Sequence, residues 1–118
     1  MWKLISNKSR GILYRGDRLK VELVPANKAE DRYIDFMLFN NLADDNGLSL
    51  IRTSGYNAGH IGVTFPPESI PEGHSGTSLV WLGSNWKKWM PVNGKVIRIW
   101  KNSHPPPAVK PKSLKIKI

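Results

Sequence analysis

Cysteine is absent from all 118 residues, which excludes disulfide bonds, thiolate nucleophiles and cysteine metal ligands. Long hydrophobic runs are absent as well. No stretch approaches the roughly eighteen apolar residues of a membrane-spanning helix, and residues 1–8 lack the apolar core of a secretion signal. We therefore expect a soluble, unexported protein of the reducing cytoplasm, without membrane contact.

Acidic residues are missing from the last part of the chain. Residues 73–118 contain nine Lys or Arg and no Asp or Glu, whereas residues 1–72 contain nine basic and nine acidic residues. The net charge of +9 therefore comes from the C-terminal part. A cationic surface governs which partners a protein meets rather than its chemistry, so this charge favours an anionic partner.

Length and composition indicate one folded domain and a tail. A chain of 118 residues with 40% apolar and 23% charged residues is long enough for a single core. The composition changes after Lys101, where Pro105–Pro107 and several lysines follow without apolar periodicity. We predict one domain over residues 1–101 and a flexible Pro/Lys-rich tail over residues 102–118. The alternating residues 114–118 offer an alternative, a strand added to a sheet edge.

Most of the domain has the alternation of β-strands. The run at residues 12–15 and the run at 19–24 flank Gly16-Asp17, which predicts a hairpin. Residues 33–39 are almost continuously apolar and predict a central strand buried on both faces. The turn at residues 44–47 predicts a second hairpin with residues 48–53. Two further strands are expected at residues 60–65, where Ile61, Val63 and Phe65 would share one face, and at residues 95–100.

The periodicity changes from two to 3.6 near residue 77. Thr77 or Ser78 is suited to cap a helix and Pro91 to end it, although Gly83 would also permit a late start near Ser84. We predict an α+β domain: a mostly antiparallel sheet of five to six strands with one main helix at about residues 77–90. The apolar stripe of this helix is Leu79, Leu82, Trp86 and Trp89.

No pattern typical of an active site is present. The three histidines lie fourteen and thirty residues apart, unlike the close pairs of metal sites. The glycines at 73 and 76 do not have the spacing of a nucleophile elbow, and residues 44–47 lack the alternate acids of a calcium loop. We therefore expect no catalytic residues, metal or cofactor, and no enzyme activity.

Tryptophan and positive charge together also fit a small basic nucleic-acid-binding protein. Five tryptophans supply stacking surfaces, and the net charge of +9 supplies phosphate contacts. Most of these rings fall on predicted core positions. Trp81 alone falls on a second helical face, with Ser84, Asn85 and Lys88, which is the composition of a binding hot spot.

Several runs of the sequence resemble, in order and spacing, the immunity protein 45 family, whose members are encoded beside bacterial polymorphic or contact-dependent growth-inhibition toxins. The most specific runs are Ser54-Gly55-Tyr56-Asn57-Ala58-Gly59 and Asn85-Trp86-Lys87-Lys88-Trp89. The resemblance covers most of residues 1–100. The other runs are residues 14–16, 34–38, 46–48, 67–69 and 81–84.

The resemblance implies a cytoplasmic bacterial protein that binds one cognate toxin domain and occludes its active site or its target surface. It implies no catalytic residues. This chain is more basic than many toxin inhibitors, so the toxin domain is expected to carry an acidic surface or acidic active-site residues. The candidate toxin-binding residues combine cationic charge with a possible anchor near the helix and the last strand: Trp81, Lys87, Lys88, Lys95 and Arg98.

Overall fold

Six antiparallel strands form the main sheet of the computed structural model, which describes residues 1–27, 31–41 and 47–103. Their order is β1-β8-β3-β4-β5-β6, and β2 pairs separately with β7. One α-helix completes the predicted α+β fold, which is confirmed. The strands are β1 Lys3–Leu4, β2 Ile12–Leu13, β3 Arg18–Pro25, β4 Tyr33–Asn40, β5 Leu48–Arg52, β6 Ile61–Thr64, β7 Thr77–Ser78 and β8 Gly94–Asn102; the helix is α1 Leu79–Trp89, and a 3₁₀ turn spans Pro67–Ser69.

One face of the sheet, here called the inner face, is covered by α1 and forms the core. On β3 the apolar residues Leu19, Val21 and Leu23 are fully buried on this face. Adjacent strands add further buried residues, and Leu79 and Leu82 of α1 pack on them. The opposite face, here called the outer face, is therefore the one that the helix does not cover. The inner-face residues of the other strands are Ile34, Phe36, Leu38, Leu48, Leu50, Val96 and Ile99.

The helix begins at Leu79, so the prediction of a helix at about residues 77–90 is confirmed and the alternative late start near Ser84 is wrong. Ser78 is the N-cap, and its hydroxyl accepts a hydrogen bond from the Trp81 amide at 3.3 Å. Gly83 is tolerated in the middle because the Ser6 carbonyl oxygen occupies the space of a Cβ. Tertiary contact thus outweighs the helix-propensity cost of glycine.

The first predicted hairpin is wrong. Residues Ile12 and Leu13 pair with Ser78 and Thr77 instead of with β3. Both edges of β3 are already occupied, since β4 lies on one side and β8 on the other. The turn at Gly16-Asp17 serves a different purpose, because the Asp17 carboxylate accepts a hydrogen bond from the Tyr14 amide at 2.8 Å.

The second hairpin is confirmed, since β4 and β5 pair antiparallel, although residues 44–46 of its turn lie outside the described residues. β4 is central, as predicted, but only one of its faces is fully buried; the side chains on the outer face are partly exposed.

The prediction that Ile61, Val63 and Phe65 share one face is wrong for Ile61. A register shift between β5 and β6 separates Ile61, which is 55% exposed, from Val63 and the buried Phe65. Of the predicted tail over residues 102–118, Asn102 is the last residue of β8, and residues 104–118, which include 114–118, lie outside the described residues.

Candidate partner-binding surface

The outer face of the sheet carries aromatic, cationic and apolar side chains in rows across the strands. Directly opposed residues on neighbouring strands point to the same face of an antiparallel sheet, which places the members of each row side by side. Three such rows are Arg98, Glu22 and Tyr33; Leu4, Trp100, Lys20 and Asp35; and Arg18, Met37, Ile51 and Ile61.

Glu22 is a buried acid in the middle of this face. Its side chain is only 8% exposed, and its carboxylate lies 3.4 Å from the Arg98 guanidinium and 3.9 Å from that of Arg32. The Tyr33 hydroxyl donates a hydrogen bond to Glu22 Oε2 at 3.4 Å. Both arginine side chains are more than half exposed, so the buried carboxylate pairs with two cations that remain accessible to solvent.

Trp2 and two cations form a second cluster at the β1 side of the face. The Arg18 guanidinium lies 5.3 Å and the Lys20 ammonium 4.9 Å from the centroid of the indole ring. Both distances are within the range of cation–π attraction. Lys20 also forms an ion pair with Asp35 at 2.8 Å, which joins this cluster to β4.

Aromatic and apolar surface lies between and beside these charges. The rings of Tyr33 and Trp100 are 6.5 Å apart and tilted by 37°. Tyr33 is 49% exposed and Leu4 is 56% exposed. Beyond them, the row of Met37, Ile51 and Ile61 continues to the β6 edge. The outer face therefore combines an apolar band with oriented cations.

The predicted binding residues fall on two different surfaces. Lys87 and Lys88 are exposed in the last turn of α1, on the inner-face side of the molecule, where Lys87 lies 5.6 Å from the Trp86 ring. Lys95 and Arg98 belong to β8 and face outward, because they oppose Val24 and Glu22 of β3. The two pairs therefore belong to different elements, one to the helix and one to the outer face of the sheet.

Trp81 is not the unpacked anchor that its helical position indicates. Its ring is partly buried, packs edge-on against Phe65 at 5.5 Å between centroids, and lies 5.7 Å from Trp89. The expectation that Trp81, unlike the other tryptophans, lies away from the core is therefore wrong. Its role in toxin binding stays a proposal.

Sequence reasoning missed the aromatic residues of the outer face. Trp2, Tyr33 and Trp100 lie in strand-like runs, where large aromatics usually pack inward. The sequence did contain one indication, the alternation of side chains along each strand. Tyr33 lies on the opposite face of its strand from Ile34 and Phe36, and Trp100 lies opposite Ile99. Only the pairing of strands shows which face meets the helix.

Two searches of the described ranges give negative results. No helix there is both long and apolar enough to cross a membrane. Within the same ranges, no three His, Asp or Glu side chains are grouped so that they could hold a metal ion. His60 and His74 are both exposed, and His104 lies outside the described part of the chain.

The described residues form a small α+β domain, and the sheet face that the helix does not cover carries aromatic and arginine side chains. Comparison with protein families identifies the group to which it is related. The chain belongs to the immunity protein 45 family, whose model matches residues 5–101. This confirms the resemblance found in the sequence and supports an immunity function. Neither curated proteins nor solved structures gave a match.

Proposed function

We propose that this protein is an immunity protein of the bacterial cytoplasm that binds a cognate toxin domain one-to-one and occludes its active site or its target surface. The observation that carries the proposal is the family match over residues 5–101, which includes the helix and every strand except β1 and the last residue of β8. Polymorphic toxins and toxins of contact-dependent growth inhibition are the partners that this family membership favours.

The structure supports binding rather than chemistry as the mode of action. The outer face offers aromatic rings and arginines, the residue types enriched in protein interfaces. Ion pairs at 2.8 Å and 3.4 Å hold Lys20 and Arg98 in place before any partner arrives. Such preorganisation lowers the entropic cost of association, which suits tight stoichiometric inhibition.

The direct test is binding to the toxin domain encoded immediately upstream of this gene, measured by calorimetry at moderate salt with total RNA as competitor. One-to-one binding that RNA does not reduce is the expected result. A non-cognate toxin domain serves as the control. Co-expression in a sensitive bacterium should restore growth with the cognate domain only, and binding without rescue would contradict the occlusion mechanism.

A nucleic-acid-binding function is the second candidate, favoured by the same cations and rings. Phosphate contacts release counterions, so RNA affinity would fall steeply and linearly with the logarithm of salt concentration. A toxin interface with an apolar centre would depend on salt less strongly. Salt-sensitive RNA retention without toxin binding would therefore replace the first proposal by the second.

A further inference from the structure

We infer that the outer face of the sheet, and not the helix surface, is the surface that receives the toxin domain, and that the complementary toxin surface is acidic with an apolar centre. This inference rests on the proposed immunity function and specifies where it takes place. The outer face is defined here by Trp2, Leu4, Arg18, Lys20, Glu22, Arg32, Tyr33, Asp35, Met37, Ile51, Ile61, Lys95, Arg98 and Trp100.

The composition of the outer face is the first argument. Aromatic residues, Met and Arg are enriched in the buried centres of protein interfaces, and Lys, Glu and Asp are depleted there. The residues that define the outer face include three aromatic rings, three arginines and Met37. They also include Lys20, Lys95 and two acids, of which Lys20 and both acids are already paired within the face. The exposed surface of α1 instead offers Val80, Ser84, Lys87 and Lys88, while the large rings of the helix pack against the core.

Charge specifies the chemistry of the partner. Five cations and two acids belong to the outer face, and both acids already pair with cations of the same face. These residues therefore carry a net positive charge, which an anionic surface would complement. Carboxylates on the partner could accept hydrogen bonds from Arg32 and Arg98 without breaking the pairs that these arginines form with Glu22.

The arrangement favours a protein over a nucleic acid. Trp2 already has two cations over its ring, which leaves less of that ring for a stacked base. The apolar row of Met37, Ile51 and the half-exposed Ile61 matches apolar side chains and offers nothing to phosphates.

Matched variants separate the two surfaces. Ile61→Asp places a charge in the outer apolar row, and Val80→Asp places the same charge at a similarly exposed position on α1. Arg98→Ala and Lys88→Ala remove one exposed cation from each surface. Thermal unfolding of each variant checks that it is folded, and Tyr33→Ala, at a 49% exposed position, provides a further outer-face variant.

The affinity of each variant for the upstream toxin domain is then measured by calorimetry. We expect Ile61→Asp, Arg98→Ala and Tyr33→Ala to weaken binding by about tenfold or more each, as interface anchors do, and both helix variants to weaken it by less than about threefold. Losses confined to the helix variants, or equal on both surfaces, would overturn the inference and leave the proposed function intact. A wild-type protein that does not bind the toxin domain would overturn both. RNA binding that the outer-face variants abolish would assign the surface to nucleic acid instead.

Hydroxyl-radical footprinting gives a readout that does not depend on substitution. The side chains of Tyr33, Met37 and Trp100 should lose reactivity in the complex, whereas Trp86 on the helix should not. Protection of Trp86 alone would place the partner on the helix and contradict the inference.

Discussion

The carbonyl oxygen of Ser6 stands where a side chain at Gly83 would begin, so the N-terminal segment and the middle of α1 meet without a side chain between them. Gly83 is buried and has no alternative direction for a Cβ, because the obstructing atoms belong to the backbone of Ser6 and Asn7. This contact joins the segment that follows β1 to the helix that covers the core.

Replacement of Gly83 by alanine tests this contact. Alanine would improve helix propensity by about 1 kcal/mol, but the required backbone shift is expected to cost about 1–3 kcal/mol, as overpacking does. We expect a net loss of stability, measured by urea denaturation. Ser84→Ala at the neighbouring exposed position is the control and should change stability by about 0.5 kcal/mol or less. A more stable Gly83→Ala protein would contradict the close approach.

The helix cap gives a second prediction. Ser78→Ala removes the hydroxyl that accepts from the Trp81 amide and should lower the free energy of unfolding by about 1 kcal/mol. Ser78→Asp keeps an acceptor and adds a charge that the helix N-terminus favours, so it should retain the stability of the wild type. Equal losses in both variants would show that the cap does not contribute.

A third prediction concerns the buried carboxylate of Glu22. Glu22→Gln keeps the shape but removes the charge between Arg32 and Arg98, and should cost about 1–3 kcal/mol in urea denaturation. Asp35→Asn is the comparison, because its pair with Lys20 is about a third exposed and should be worth about 0–1 kcal/mol. The opposite ranking of the two variants would contradict the importance of burial.

Substitution of Trp81 tests whether its ring mainly packs in the core or is a free anchor for a partner. Because its ring packs against Phe65 and Trp89, Trp81→Ala should destabilise the fold by about 2–3 kcal/mol, slightly less than for a fully buried ring. Lys87→Ala, at an exposed position of the same helix, is the control and should leave the free energy of unfolding nearly unchanged. Unchanged stability of Trp81→Ala, measured by thermal and urea denaturation, would restore its interpretation as a free anchor.

Removal of residues 104–118, most of the predicted tail, tests whether the folded domain needs it. Every buried apolar residue of the described chain lies between Ile5 and Ile99, so the shortened protein should unfold at the same urea concentration. The loss of four lysines lowers the net charge from +9 to +5. Association with an acidic toxin domain should therefore become slower and less salt-dependent, as stopped-flow measurements would show. A large loss of stability would mean that the tail belongs to the fold.

The helix and the strand-rich class were predictable because their signals are local. Ser78, the apolar stripe from Leu79 to Trp89 and Pro91 are contiguous in sequence and act on one element. The pairing of β2 with β7 was not predictable, since it joins residues about 65 positions apart and replaces a plausible local hairpin. β2 does not pair with β3 because β8 already pairs with that edge of β3, and β8 lies far from β2 in the sequence.

The amino-acid sequence by itself determined the α+β class, the helix, the basic character and the family relationship, because periodicity, capping, charge and motif spacing are properties of neighbouring residues. Only the tertiary structure decided which face of the sheet the helix covers. It thereby left Trp2, Tyr33 and Trp100 on the outer face beside oriented cations, packed Trp81 against Phe65, and separated Lys95 and Arg98 from Lys87 and Lys88. Alternation divides a strand's residues into two sets, but burial is assigned to one set only when the strands have paired and the helix has packed.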